Sequence, residues 1–187
     1  MTRREILKYT AFITGAAVSA PFMGAFLSGC KPENSGVSAS ALSCFSEKEM
    51  SLLKDIVDTI LPKTDSPSAS DVGVHLTIDS MVGKVYTEEN KNKFKERFSA
   101  LQKVLNNKSF RKADVETRSK MLVDMEVNED PSMADAKRVM LELKQQTIAY
   151  YLSTSEIATN YLNYLPVPGN YESCIALADV GGKAWAL

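Results

Sequence analysis

The stretch from Met140 to Cys174, MLELKQQTIAYYLSTSEIATNYLNYLPVPGNYESC, decides how the whole chain is read. Counting from Val139, the apolar or half-apolar positions Val139, Met140, Leu143, Thr147, Tyr150 and Tyr151 fall at helical spacing. Leu141, Ile148 and Leu152 form a second stripe, so the helix is apolar almost all round. Charge is confined to its first half, at Glu142 and Lys144, and Gln145 to Leu152 carries none. Such a helix is either buried centrally or gives part of its surface to a partner, and periodicity leaves both open. The polar cluster Ser153-Thr154-Ser155-Glu156 offers a new cap, after which Ile157, Tyr161, Leu162 and Leu165 continue as a shorter helix. Pro166-Val167-Pro168-Gly169 stops it, and the remainder to Leu187 has the composition of a turn-rich tail.

Upstream, the same signals recur. Ser46 and Glu49 form a capping box at the start of a helix whose stripe is Leu53, Ile56, Val57, Ile60 and Leu61, and Pro62 ends it. Lys63 to Gly73 is a loop by composition. A second helix is expected over Val74 to Tyr86, with Leu76, Ile78, Met81, Val82 and Val85 apolar, and a third over Thr87 to Leu105, where Phe94, Phe98, Leu101 and Leu105 repeat. The fourth, about Ala113 to Val127, has Asp114 as cap and Val115, Leu122 and Met125 inside; Asn128 to Pro131 breaks the chain before the long helix, expected from about Ser132 to Leu152. Few runs alternate with period two and no internal repeat is visible, which predicts an all-α fold: a single helical bundle of about five or six helices with an extended C-terminal tail. At 187 residues, 44% hydrophobic and 24% charged, one globular domain is the expectation. A net charge of -1 with no long basic run leaves no electrostatic footprint for nucleic acid.

The N-terminus reads as an address. Thr2-Arg3-Arg4-Glu5-Ile6-Leu7-Lys8 precedes an uncharged stretch, Tyr9 to Gly29, rich in Ala and Gly and interrupted by Pro21. This resembles the twin-arginine export pattern S/T-R-R-x-F-L-K, with Arg3 and Arg4 as the signal pair and Ile6 in place of Phe. Leu27-Ser28-Gly29-Cys30 resembles the lipobox of bacterial lipoproteins, in which the cysteine is lipidated and becomes the first residue. An uncleaved membrane helix and a chance cysteine compete with that reading, but weak hydrophobicity and Pro21 argue against a permanent span. The expected organisation is a signal peptide over 1-29, a lipidated flexible linker over 30-44 and a helical domain over 45-187. The protein would then be lipid-anchored on the periplasmic side of a bacterial cell envelope, each buried CH2 of the anchor adding about 0.8 kcal/mol of membrane affinity.

Chemistry-bearing motifs are sparse. There is no G-x-G-x-x-G, no C-x-x-C-H for covalent haem and no phosphate-binding G-x-x-x-x-G-K-[ST]. His75 is the only histidine, so multi-histidine metal sites are ruled out and a Ser-His-Asp triad would hang on that one side chain. Asp65, Asp71 and Asp79 suit loop solvation and helix capping better than paired catalytic carboxylates. Beyond Cys30, Cys44 and Cys174 flank the helical domain. They bond to each other, remain free thiols, or bond a partner chain; an intrachain bridge closing a loop of about 130 residues would contribute on the order of 4 to 5 kcal/mol in the chain-entropy picture.

Several stretches together carry a family resemblance: Leu143-Lys144; Tyr150-Tyr151-Leu152-Ser153-Thr154-Ser155-Glu156-Ile157; and Leu162 through Tyr164-Leu165-Pro166-Val167-Pro168-Gly169-Asn170-Tyr171 to Cys174. They resemble the C-terminal signature of the gluconate 2-dehydrogenase subunit 3 family, close to LK-x-L-T-x-x-G-Y-F-T-S-E-x-G followed by Y-x-P-V-P-G-x-Y-x-G-C. Ile60-Leu61-Pro62-Lys63-Thr64-Asp65-Ser66-Pro67, Asp71-Val72-Gly73-Val74 and Ile78-Asp79 resemble the family's N-terminal half more loosely. Ser68, Ala149 and Ser173 stand where the family usually has glycine, which bears on partner recognition because glycine permits close backbone approach.

The resemblance implies a small subunit without its own active site or cofactor. Its partner would be a large subunit of the glucose-methanol-choline oxidoreductase type that holds FAD, with a cytochrome subunit, carrying haem c, taking the electrons. The small subunit would stabilise the large one and carry it through the twin-arginine translocase. The expected partner-binding residues are Tyr150, Tyr151, Ser155, Glu156, Tyr164, Pro166, Pro168 and Tyr171, aromatic anchors suiting an interface core. A free-standing envelope lipoprotein acting as scaffold or binding module is the competing expectation.

Overall fold

The computed structural model describes residues 42-165, 167, 169 and 174-186. The chain divides into a unit over Met1–Ser40 and a unit over Ala41–Leu187, and the description below concerns the second. Arg3, Arg4, Cys30, Pro166, Pro168 and Tyr171 lie outside the described residues.

The described residues form an all-α bundle. Its helices are α1 (Glu47–Ile60), α2 (Val74–Ser80), α3 (Glu88–Asn107), α4 (Val115–Val127), α5 (Ala134–Ser153) and α6 (Ser155–Asn160). Short 3-10 turns at Phe110–Lys112 and Pro131–Met133 precede α4 and α5. Local sequence sets most boundaries. The Ser46 hydroxyl accepts the Glu49 N–H, and the Glu49 carboxylate accepts the Ser46 N–H at 2.8 Å, so the capping box forms as the sequence predicts. Thr87 caps α3 through the Asn90 N–H.

The long helix is the hub, since α5 touches each of the other five helices, α3 most extensively. Its buried side chains are Ala136, Val139, Met140, Leu143, Thr147 and Tyr151, one face at 3.6-residue spacing. Against it pack Phe94, Phe98, Leu101 and Leu105 of α3, together with Leu52, Leu53, Ile56 and Val57 of α1. Phe45, just before α1, lies 4.9 Å from Phe98 and 6.1 Å from Phe94 between ring centroids, so the start of the domain is sealed into the aromatic core.

Three expectations need correction. The second helix does not run evenly to Tyr86: after Ser80 it widens into a π-helical turn, Met81–Val85. There Ser43, ahead of α1, passes so close that a Cβ on Gly83 would fall on Ser43 Cβ and lie 2.8 Å from its carbonyl carbon. Val115 is 60% exposed rather than inside; Phe110, from the preceding 3-10 turn, is buried, with the Arg118 guanidinium 5.4 Å from its ring centroid. The short last helix stops at Asn160 instead of reaching Leu165, because Asn163 leaves the helix to pair with the tail: its N–H donates to Ala184 O at 2.8 Å and its carbonyl accepts Ala186 N–H at 2.9 Å. Cys44 and Cys174 are not bonded to each other in the structure. The two ends of the domain are held by hydrogen bonds instead, as described next.

Candidate functional site

The two stripes of α5 have different fates. The first faces the core; on the opposite side Gln145, Ile148 and Ala149 are exposed, with Leu141 and Leu152 half-buried. The helix is therefore buried along one face and open along another, and the open face of its second half carries no charge. This is the surface that the sequence left undecided between core and partner.

The expected contact residues separate accordingly. Tyr151 is 8% exposed, and its hydroxyl lies 2.9 Å from Ser66 Oγ and 2.8 Å from the Pro67 carbonyl. It acts inside the domain, tying α5 to the loop after α1. Tyr150 is half-buried and packs on the core, whereas Ser155 and Glu156 on the first turn of α6 are exposed, as is Tyr164 at 54%.

The loop that receives Tyr151 is built by short-range polar contacts. Ser68 and Asp71 bond reciprocally, Ser68 N–H to the Asp71 carboxylate at 3.1 Å and Asp71 N–H to Ser68 Oγ at 3.3 Å. The Ser68 backbone N–H holds the Asp71 carboxyl below its ordinary range. Asp58 of α1 accepts both the N–H and the hydroxyl of Ser70, at 2.8 and 2.7 Å. Ser68, a departure from the usual family glycine, is thus a working acceptor here. Asp71 behaves as a turn residue, in line with its sequence reading.

Asp79 does not. It is 4% exposed, and its carboxylate accepts three backbone N–H groups: Ser43 at 2.6 Å, Cys44 at 2.9 Å and Phe45 at 2.9 Å. Lys95 Nζ donates to the Cys44 carbonyl at 3.2 Å. Burial pushes the Cys44 thiol up, against the pull of the nearby Lys95 ammonium. Sequence reading treated Asp79 as a capping or solvated residue; the signal it passed over was a lone carboxylate in an apolar stripe of Leu76, Ile78, Met81 and Val82.

A second polar cluster joins the end of the π-helical turn to α5. The Tyr86 hydroxyl donates to Glu142 Oε1 at 2.9 Å and accepts Gln146 Nε2 at 2.7 Å. Burial, reinforced by the Glu142 carboxylate, pushes its phenol up to about 12. Gln146 Oε1 and the buried Thr147 hydroxyl have no partner. His75, half-buried with Nδ1 unpartnered, is pushed below its ordinary value by burial and by Lys54. No three His, Cys, Asp or Glu side chains gather as a metal-ligand set among the described residues. No helix among them is long and apolar enough to cross a membrane.

The C-terminal segment is organised by Asn163. Besides its backbone pairing, its side-chain amide donates to Val180 O at 2.9 Å and Lys183 O at 2.8 Å, and Lys183 Nζ donates to Asn160 O at 3.1 Å. The large apolar side chains outside this clasp are exposed, among them Leu165, Val167, Leu177 and Trp185. Sequence reading foresaw a tail here but not its closure.

The arrangement is thus a helical body held by internal hydrogen bonds, with an uncharged helix face and several large apolar side chains of the tail exposed. Comparison with curated proteins and with solved structures returns no match. The sequence profile of the family described as gluconate 2-dehydrogenase subunit 3 matches residues 47–169, which take in α1, the Tyr151-receiving loop, Asp79 and Asn163. With well over half of the chain matched, the protein belongs to the gluconate 2-dehydrogenase subunit 3 family, whose members are accessory subunits of dehydrogenase complexes.

Proposed function

We propose that this chain is a non-catalytic accessory subunit that stabilises the FAD-containing large subunit of a sugar or polyol dehydrogenase, accompanies it through the twin-arginine translocase and tethers it to the membrane. The observation that carries this reading is the family match over a domain that leaves an uncharged face on the second half of α5 open. Arg3 and Arg4 supply the export signal, and Cys30 the lipid anchor on the periplasmic side of the envelope. The partner is of the glucose-methanol-choline type and keeps FAD and the reacting centre to itself. A cytochrome subunit with haem c is the natural electron acceptor. A cofactor-loaded partner gives a reason for an export route that moves folded proteins. Expression of this chain without its signal should leave the flavoprotein in the cytoplasm and its dehydrogenase activity absent from the envelope fraction. Normal export and activity in that strain would end the proposal.

A further inference from the structure

We propose that the outer face of α4 is a self-association surface, on which a second copy of this chain packs its own α4 antiparallel. Such pairing goes beyond the accessory role and does not depend on it. Val115, Ser119, Val123 and Val127 follow one another at four-residue intervals, so they form a single ridge along the helix. All four are exposed, the valines at 60%, 55% and 70%. Valine is a weaker helix former than alanine or leucine, because its branched Cβ is restricted against the preceding turn. Three valines on a solvated helix face therefore bring no local stability, and their gain lies in contact with another apolar surface.

The ridge borders a cavity of about 130 Å3 between α1, α4 and α5. Ser119 and Val123 line it from the ridge, with buried Leu122 and Met140 and half-buried Ile60 also in its wall. An apolar side chain from a facing ridge has room to enter there and leave water. Charge names the occupant. One residue on from successive ridge positions stand Glu116, Lys120 and Asp124, all exposed and in no ion pair among the described residues. The other charges of α4, Arg118 and Glu126, are already held by Asp55 and Lys144. With a two-fold axis at the level of Leu122, residue 120 of one copy stands opposite residue 124 of the other, so Lys120 meets Asp124 twice. The same axis sets Val123 and the cavity of each copy beside those of the other, so one operation serves both ridge and flank. A contact centred on a 13-residue helix, about 20 Å long, covers less than the ~800 Å2 that a standard interface takes from each partner, which makes the pair weak and exchanging.

The test uses the full-length chain in envelope fractions of its own host, expressed with two different tags and carrying Cys174→Ser to remove the exposed native thiol. Copper-phenanthroline oxidation of Val123→Cys, close to the axis, should give a disulfide-linked species bearing both tags, roughly tenfold above the same chain without the added cysteine. Val115→Cys lies roughly 20 Å along the helix from its symmetry mate at about 1.5 Å per residue, and should stay at background, as should Lys103→Cys on the exposed side of α3. Lys120→Glu should lower the Val123→Cys product by about threefold or more, and adding Asp124→Lys to it should restore the product by exchanging the two charges. A Val123→Cys product no stronger than that of Lys103→Cys overturns the pairing. So does equal linkage at Val115→Cys, which a parallel pair would give, failure of the charge exchange to restore the product, or linkage only to a different protein. Each of these results leaves the accessory role standing.

Discussion

The two ends of the domain are held by the same device used in opposite settings. At the entrance, the Asp79 carboxylate gathers the N–H groups of residues 43 to 45 inside a closed core of Phe45, Phe94 and Phe98. At the exit, the Asn163 amide and backbone gather carbonyls and an N–H from residues 180 to 186, and the side chains around it face water. A charge in a dry setting makes the entrance a matter of stability, because the Asp79 carboxylate is buried and, without it, the buried Phe45 N–H and the half-buried Ser43 and Cys44 N–H groups would lose their partner. A neutral amide at the surface holds shape with little stake in folding. The contrast teaches that the entry and exit segments of a domain can be fixed in two different ways, and that burial of the surrounding apolar residues tells them apart.

The contrast can be broken most directly at the entrance. Asp79→Ala should cost on the order of 3 to 5 kcal/mol, seen as a lower urea midpoint, and it should loosen Ser43 to Phe45 first; a loss below ~1 kcal/mol would mean that the aromatic core alone holds the entrance. Gly83→Ala comes next, at about 1 to 3 kcal/mol, since its Cβ has to displace the Ser43 backbone. Tyr151→Phe should cost about 1 to 2 kcal/mol by releasing the Ser66 and Pro67 contacts. It should leave partner binding intact, which separates the inner stripe of α5 from its outer one. At the exit, Leu177→Ser and Trp185→Ser should change stability by no more than ~0.5 kcal/mol, measured as thermal midpoints.

Tyr86 gives a pH-dependent check on the body. Its phenol titrates at an ordinary 10.0 in the unfolded chain and about 12 in the folded one. The neutral form is favoured by folding, so its contribution is complete below about pH 10 and is lost as pH rises from about 10 through 12. Tyr86→Phe should flatten the alkaline loss of stability over that window, and an unchanged profile would show that burial and the Glu142 contact do not hold the phenol neutral.

Local signals were legible where one helical turn contains all the partners. The capping box at Ser46 and Glu49, the stop at Pro62 and the Phe94-Phe98-Leu101-Leu105 stripe are decided within a few residues, and the structure keeps them. Positions whose partners lie far along the chain were not. Asp79 meets residues 34 to 36 positions earlier, Val115 loses its inward place beside Phe110, and Asn163 ends α6 by pairing with residues more than 20 positions later. Of the expected contact residues, Tyr151 turned inward for the same reason, since Ser66 and Pro67 are 85 and 84 positions away.

The chain by itself determined an all-α bundle organised on the Met140 helix, because helical periodicity, caps and breakers act over 3 to 4 residues and need no tertiary partner. The family signature was equally plain in the linear sequence. Tertiary structure alone decided how far each apolar stripe of that helix is removed from water: Val139, Met140, Leu143, Thr147 and Tyr151 are core, Leu141 and Leu152 pack half-buried against it, and Ile148 is left exposed. Both stripes have the same hydrophobic character, and only the positions of α1, α2, α3 and α4 around the helix determine how much of each leaves water.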